Sequence, residues 1–349
     1  MRGEYKVLGG KLVAVELDVV DGRLADVSVS GDFFLEPDEA LGDLNAALEG
    51  QPVEAGVDDL AAAITKGLGT DVALIGFTPE AVGIAVRRAL GRATGWDDHT
   101  FDVIPATVLD PAVHVALDEV IAREVGAGER PPTLRFWDWD SPLVVIGSFQ
   151  SVRNEVDPAG AERHHIDVVR RISGGGAMFM EPGNCITYSL VVPGSLVEGL
   201  SFERSYSFLD DWVLGALAEV GVTAHFVPLN DIASEAGKIG GAAQKRFADG
   251  TVLHHVTMSY DIDAAKMLEV LRIGREKMSD KGHRSAAKRV DPMRSQTGLS
   301  REAILDAFAA SFAARYRTHT SVYTAAELAE ADRLVETKFA TPGWTHRVP

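Results

Sequence analysis

The segment Arg170-Arg171-Ile172-Ser173-Gly174-Gly175-Gly176-Ala177-Met178-Phe179-Met180-Glu181-Pro182-Gly183-Asn184 constrains this chain more than any other. Three consecutive glycines lose more backbone entropy on ordering than an ordinary turn requires, and they let main-chain amides approach a ligand where a Cβ would intrude. The run follows Ile166, Val168 and Val169, so a short strand must deliver its end to a bare loop. Arg170 and Arg171 stand at that junction and could neutralise a phosphate or carboxylate, although alternation on a strand leaves only one of them on the loop's side. The run has neither the Gly-Lys-Ser/Thr ending of a P-loop nor the Gly-x-Gly-x-x-Gly spacing of a dinucleotide site. A plain tight turn is the alternative reading.

A second dense block lies downstream, Gly237-Lys238-Ile239-Gly240-Gly241-Ala242-Ala243-Gln244. Lysines are ordinarily solvent-facing and inert. This one is flanked by glycines that leave room around a point positive charge, with Asn230-Asp231 before it and His254-His255 after it. Adjacent residues on a strand point to opposite faces, so the two histidines do not form a two-ligand metal site. Cys185 is the only cysteine, which excludes an intramolecular disulfide and a Cys-rich metal centre. It opens the apolar run Cys-Ile-Thr-Tyr-Ser-Leu-Val-Val, a setting that favours a buried structural thiol over an acyl-carrying nucleophile. No serine sits in a Gly-x-Ser-x-Gly elbow.

At 349 residues the chain is expected to form two domains. Residues 12–29 alternate apolar and polar around Asp21-Gly22, a hairpin signal. Helical periodicity follows over 38–48 and 57–64, and Thr78-Pro79 caps a helix ending near Leu90. Residues 1–93 therefore read as a small α+β domain, and 94–105, with Gly95, Asp97, Asp98 and His99, as a linker. From 106 to 349, Asp110-Pro111 starts a helix through Val125. Strands are expected over 133–137, 143–146, 167–170, 185–192, 223–227 and 252–260, and helices over 202–220, 264–271, 301–316 and 325–335. This mixed order predicts an α+β fold, a central, mostly antiparallel sheet flanked by helices.

The formal charge of -17 argues against nonspecific nucleic-acid binding, because no general basic surface exists to displace counterions. Between Arg272 and Arg294, however, eight Lys or Arg meet only three acids, a cationic stretch suited to an anionic ligand or to a solvated surface. No apolar run approaches the ~18 residues needed to span a bilayer, and the first residues lack a signal-peptide pattern. A soluble, cytoplasmic protein without membrane association is the expectation.

The blocks Leu134-Arg135-Phe136-Trp137, Gly147-Ser148-Phe149-Gln150-Ser151-Val152, Arg-Arg-x-Ser-Gly-Gly-Gly, Gly183-Asn184, Asn230-Asp231, Gly-Lys-Ile-Gly-Gly-Ala-Ala-Gln and Leu253-His254-His255-Val256-Thr257 occur in this order. In them the chain from about Ala106 onward resembles the lipoate-protein ligase A family, within the biotin and lipoate protein ligase superfamily. Residues 1–93 resemble that family's small accessory domain through residues 4–12 and 30–34.

The resemblance implies a biotin/lipoate-ligase-like catalytic domain that uses ATP with Mg2+ to convert lipoate to lipoyl-AMP. The lipoyl group would then pass to a lysine of a lipoyl carrier domain, from a 2-oxoacid dehydrogenase or a glycine-cleavage-type protein. By the same resemblance, Lys238 is the catalytic residue and Arg171, Ser173, Gly174, Gly175, Gly176, Asn184, Gly241, Ala243, His255 and Thr257 contact the substrate or adenylate. Asp231 is a nucleotide or magnesium contact, and Ser285, Lys288 and Arg289 belong to a segment that folds over the adenylate. The chain departs from the family where Met180-Glu181 replaces His-Asp, Val256 replaces Gly, and Gly240 and Ala242 replace Ser; these positions are expected to line the pocket. A cysteine-dependent octanoyltransferase and a non-catalytic lipoate- or nucleotide-binding regulator are the alternatives.

Overall fold

The computed structural model describes residues 1–7, 9–235, 237–272 and 292–349. The chain falls into two compact units, one comprising Met1–Asp98 with Ser195–Phe202, the other His99–Gly194 with Glu203–Pro349.

In the first unit, β1 (Arg2–Lys6), β2 (Leu12–Val20) and β3 (Arg23–Gly31) form an antiparallel sheet. The β2–β3 hairpin turns on Asp21 and Gly22, which both take positive φ as the alternating pattern requires. β4 (Phe34–Glu36) pairs with β5 (Ala73–Ile75). Helices α1 (Ala40–Leu48), α2 (Val57–Leu68) and α3 (Pro79–Ala89) bury Leu44, Leu48, Leu60, Ile64 and Val82 against Val13, Val15 and Leu17 of the sheet. Thr78 caps α3 by accepting from the Ala81 amide, and Pro79 occupies its first turn.

The second unit is built on an eight-stranded sheet. Its strands are β6 (Phe101–Leu109), β7 (Thr133–Trp139), β11 (Cys185–Val192), β12 (His225–Val227), β13 (Asp231–Ala233), β14 (Lys238–Arg246), β15 (Val252–Ser259) and β16 (Thr318–Thr320). They run in the order β12-β13-β14-β15-β11-β7-β6-β16, antiparallel except where β6 meets β7 and β16 meets β6. The expected mostly antiparallel sheet flanked by helices is therefore present. A smaller sheet, β8 (Leu143–Ile146), β9 (Asp167–Arg170) and β10 (Met178–Met180), carries the glycine loop between β9 and β10.

Every residue of β11 and β15 is buried, as strands covered on both faces must be. On one face lies α4 (Pro111–Ala127), started by the Asp110 cap and Pro111 and ended by left-handed Gly128; its apolar residues pack with Trp137, Trp139, Cys185, Val191 and Leu253. On the other, α7 (Phe202–Glu219) and α10 (Arg301–Arg315) present Trp212 and Phe312, whose rings meet at 5.1 Å, with Trp212 also 5.1 Å from Tyr188. Shorter helices α5 (Val152–Glu155), α6 (Pro158–Arg163), α8 (Ala264–Val270), α9 (Met293–Thr297) and α12 (Pro342–Thr345), and the longer α11 (Ala325–Leu334), complete the unit. No helix among the described residues is long and apolar enough to cross a membrane.

One expectation is corrected. Residues 94–105 are not linker throughout, because Phe101 to Pro105 form the first half of β6 and Phe101 is wholly buried against Phe312. The lysine block lies on a strand: Lys238 is the first residue of the nine-residue strand β14, its glycines tolerated because both neighbours pair with it.

Arg130, just beyond α4, binds Glu327 of α11, which is almost fully buried, and Glu124 of α4 stands beside the same carboxylate. Burial, and then the Glu327 carboxyl, push Glu124 up to about 7 from an ordinary 4.5. Between those values the folded chain holds a proton that the unfolded chain releases, so stability declines as pH rises through this window. Glu124→Gln is expected to flatten that decline, raising the melting temperature above wild type at pH 8 but not at pH 5.

Candidate active site

Strand register assembles the site. Opposed residues of antiparallel strands share a face, and β7, β11, β15 and β14 pair as Arg135↔Ser189, Trp137↔Thr187, Ser189↔His255, Thr187↔Thr257, His255↔Ala243 and Thr257↔Gly241. These residues therefore form one surface, on the α4 side. A cavity of about 110 Å³ opens there, bounded by Trp137, Val145, Arg171, Met180, His255 and Lys238. A second, of about 520 Å³, shares Ala177, Met178, Lys238, Gly241 and Thr257 with it and continues past Ile239, Ile262, Met267 and Leu271.

Gly176 lines the first cavity, which brings the glycine loop and Lys238 to one space. The loop is shaped from below by Arg171, buried at 5% exposure. Its Nη2 donates to the carbonyls of Gly174 (2.6 Å) and Gly176 (2.8 Å), and its Nε to Ser173 Oγ (3.0 Å). Burial lowers its pKa to about 10, which leaves it charged at neutral pH. With the carbonyls drawn to Arg171, the amides of Gly174, Gly175 and Gly176 donate to no protein group among the described residues. They are a ready anion cradle. Gly175 has φ +89°, and a Cβ there would stand 2.9 Å from Arg171 Nη2, so glycine is required twice over.

A line of buried polar groups runs behind the loop. Asp118, on α4, accepts from Arg135 Nη2 at 2.6 Å and from His255 Nδ1 at 2.8 Å, and His255 Nε2 meets Ser173 Oγ at 2.7 Å. Burial alone would raise the Asp118 carboxyl, but the Arg135 guanidinium and the His255 hydrogen bond hold it at about 2. His255 is lowered by burial, only partly offset by Asp118, and so is neutral. Its proton then belongs on Nδ1, and Ser173 must donate to Nε2 while accepting from Arg171. The order Asp-His-Ser matches a nucleophile triad, but Ser173 is 1% exposed and lies off the cavity wall, so this line braces the loop instead of attacking substrate. Asp118 was not legible as a site residue; only its place on α4 beneath Arg135 discloses it.

Lys238 Nζ donates to Asp231 Oδ1 at 2.7 Å, and at 47% side-chain exposure it remains accessible to a ligand. A Cβ on Gly241 would stand 3.0 Å from Nζ and 3.4 Å from Asp231 Oδ1, so glycine makes room for the pair. No group of three or more His, Cys, Asp or Glu able to hold a metal occurs among the described residues. Asp231, expected as a magnesium contact, is a single carboxylate engaged by Lys238, which does not make a resident magnesium site. Thr257 Oγ1 accepts from Thr187 Oγ1 at 3.0 Å on the cavity floor, and Ala243 lies beside it.

Other expected residues lie elsewhere. Asn184 is off both cavity walls; its Oδ1 accepts from the Glu181 amide at 2.8 Å and tightens the turn before β11. Val256 pairs with Tyr188 and faces α7, because alternation sends it away from His255 and Thr257. Of the departures from the family pattern, Met180, Gly240 and Ala242 do line a cavity, whereas Glu181 binds Lys266. Cys185 is wholly buried and its thiol is pushed well up by burial. Ser285, Lys288 and Arg289 lie outside the described residues.

Residues 110–313 match the family model described as the lipoyl protein ligase A/B catalytic domain. The octanoyltransferase LipM of Symbiobacterium thermophilum is 32% identical over 262 residues, 67% of this chain and 93% of that protein. The probable lipoate-protein ligase A of Mycoplasma pneumoniae is 34% identical over 180 residues, 52% of this chain and 51% of that protein, about half its length. Among solved structures, one from an archaeal lipoylation system, a bi-partite lipoate protein ligase and its E2 lipoyl domain from Thermoplasma acidophilum, superposes with a TM-score of 0.64 at 26% identity, covering 72% of this chain and 98% of that one.

Asp118→Asn would leave the fully buried Arg135 without its counter-charge. Chemical denaturation is expected to show a loss of about 3 kcal/mol or more in unfolding free energy, the effect of breaking a buried ion pair.

Proposed function

This chain belongs to the lipoyl protein ligase A/B catalytic-domain family, and on that premise we propose that it is an ATP-dependent lipoate-protein ligase. The observation that carries this reading over acyl transfer through a thioester is Cys185: the only thiol in the chain is buried inside the central sheet and held protonated. An enzyme without an accessible thiol can still activate a carboxylate by adenylation.

In this reading a lipoate carboxylate oxygen attacks the α-phosphorus of magnesium-ATP, the bond to the β-phosphate oxygen breaks, and pyrophosphate leaves. The reaction brings two anions together, and Lys238 with the amides of Gly174, Gly175 and Gly176 offsets the charge that gathers between them. Arg171, Ser173 and His255 hold the loop; Gly241, Ala243 and Thr257 shape the floor. Magnesium arrives with the nucleotide as part of the substrate. Trp137, Val145, Met178 and Met180 in the first cavity, and Ile239, Ile262 and Leu271 in the second, are apolar linings suited to a medium-length acyl chain. The amine of a carrier lysine then attacks the acyl carbon of the anhydride, AMP leaves, and an amide remains. Residues 1–93 would serve as the accessory domain. The acceptor would be a lipoyl domain of a 2-oxoacid dehydrogenase or a glycine-cleavage-type carrier.

The second reading, an octanoyltransferase, is favoured by the similarity to LipM over nearly that protein's whole length. Incubating the protein with an apo lipoyl domain separates the two. A carrier mass gain that needs lipoate and magnesium-ATP supports the ligase; a gain from an octanoyl thioester without ATP overturns it. Lys238→Ala is expected to slow lipoyl-AMP formation by at least about 100-fold without changing the melting temperature. Cys185→Ala is expected to keep ligation within about twofold, as no step uses the thiol.

A further inference from the structure

The C-terminal segment lies beyond the family match, yet it ends on the foundations of the glycine loop. Arg170, the last residue of β9, is wholly buried next to Arg171. Its guanidinium spans carbonyls from two separate stretches of chain: Nη1 donates to Gly147 at 3.0 Å and Gln150 at 2.6 Å, Nε to Trp344 at 3.0 Å and Nη2 to Thr345 at 2.5 Å. Trp344 answers with a bond from Nε1 to the Arg170 carbonyl at 2.8 Å. Arg347 lies over the Trp344 ring at 4.1 Å and donates from Nη2 to the Ser148 carbonyl at 2.7 Å. The Ser148 amide in turn donates to the Ser173 carbonyl at 2.7 Å, immediately before the three glycines.

Two short paths therefore join the C-terminus to the cradle, one through Arg170 to Arg171 and the other through Ser148 to Ser173. A buried guanidinium keeps one geometry only while its acceptors stay in place. Half of the segments that supply them to Arg170 belong to α12.

We propose that the segment from Thr341 to Arg347 is a positioning element of the reaction site: it holds the Gly147–Gln150 turn and the end of β9 so that the glycine loop, whose Gly176 lines the cavity, keeps its shape beside Lys238. Loosening it slows the chemical step and leaves acyl binding intact. The kinetic arm of this inference rests on the ligase reading; the exchange arm does not.

The test compares the full-length protein with Arg347→Ala, Arg347→Lys and Trp344→Phe. The last keeps a ring beneath Arg347 but removes the N–H to Arg170. Hydrogen–deuterium exchange is expected to run at least tenfold faster at the Ser148 and Arg171 amides, which donate to Ser173 and Ile146, in Arg347→Ala and Trp344→Phe, with β11 and β15 unchanged. The turnover number for lipoyl-AMP formation should fall at least tenfold while the lipoate dissociation constant stays within twofold. Arg347→Lys should recover part of both effects, since an ammonium can reach the Ser148 carbonyl but cannot stack as a planar fork. Unchanged exchange at the Ser148 and Arg171 amides in both variants overturns the proposal, as does faster exchange spread evenly through the central sheet, which would mark a purely structural segment. If the wild type forms no adenylate, the ligase reading fails and the exchange arm alone decides.

Discussion

A carboxylate withdrawn from water needs an answering charge and filled hydrogen-bond positions, and Asp118 obtains both from residues distant in the chain. Arg135 comes from β7 and His255 from β15, so helix α4 and two strands are tied at one point. The charge balance has a chemical outcome. With Asp118 ionised and His255 neutral, the imidazole carries its proton toward the carboxylate and presents a bare nitrogen to Ser173. Ser173 is thereby turned to accept from Arg171, and Arg171 gathers the glycine carbonyls on its own side. The free amides of the loop are thus the far end of an ionic contact inside the core.

The same logic separates the two faces of the sheet. Odd-numbered residues of β11 and β15 meet α4 and the cavity, while Tyr188 and His254 turn to α7, where both bind Asp210. Adjacent histidines in the sequence consequently serve unrelated networks. Val256, a departure from the family pattern, falls on the α7 face and leaves the cavity walls untouched; Met180, Gly240 and Ala242 are the departures that reach them.

Much of the fold was legible because its signals are local. Asp-Gly between alternating runs, Thr78-Pro79 and Asp110-Pro111 each act within one turn of chain, and the hairpin and helices begin where they indicate. The lysine block was harder to place. Four small residues in succession suggest a loop when taken alone, and only pairing with β13 and β15 makes them a strand. The polar stretch 94–105 misled for the opposite reason: β6 gains its stability from β7 and from Phe312, neither of which is near in sequence.

Residue identity by itself determined that the chain carries a glycine loop next to paired arginines, one isolated glycine-flanked lysine and a single thiol in an apolar run. These are properties of composition and spacing, and they delimit the available chemistry. Only tertiary structure decided which groups meet. Arg170 and Arg171 are neighbours, yet one binds the C-terminal segment and the other the glycine loop. Lys238 reaches the cavity because β14 pairs in one register, with a bulge beside Lys238. Asp118 orients His255 across 137 positions of sequence. The physical reason is that strand pairing and burial of charge are settled between segments, so the partner of each polar group is chosen by the folded chain as a whole.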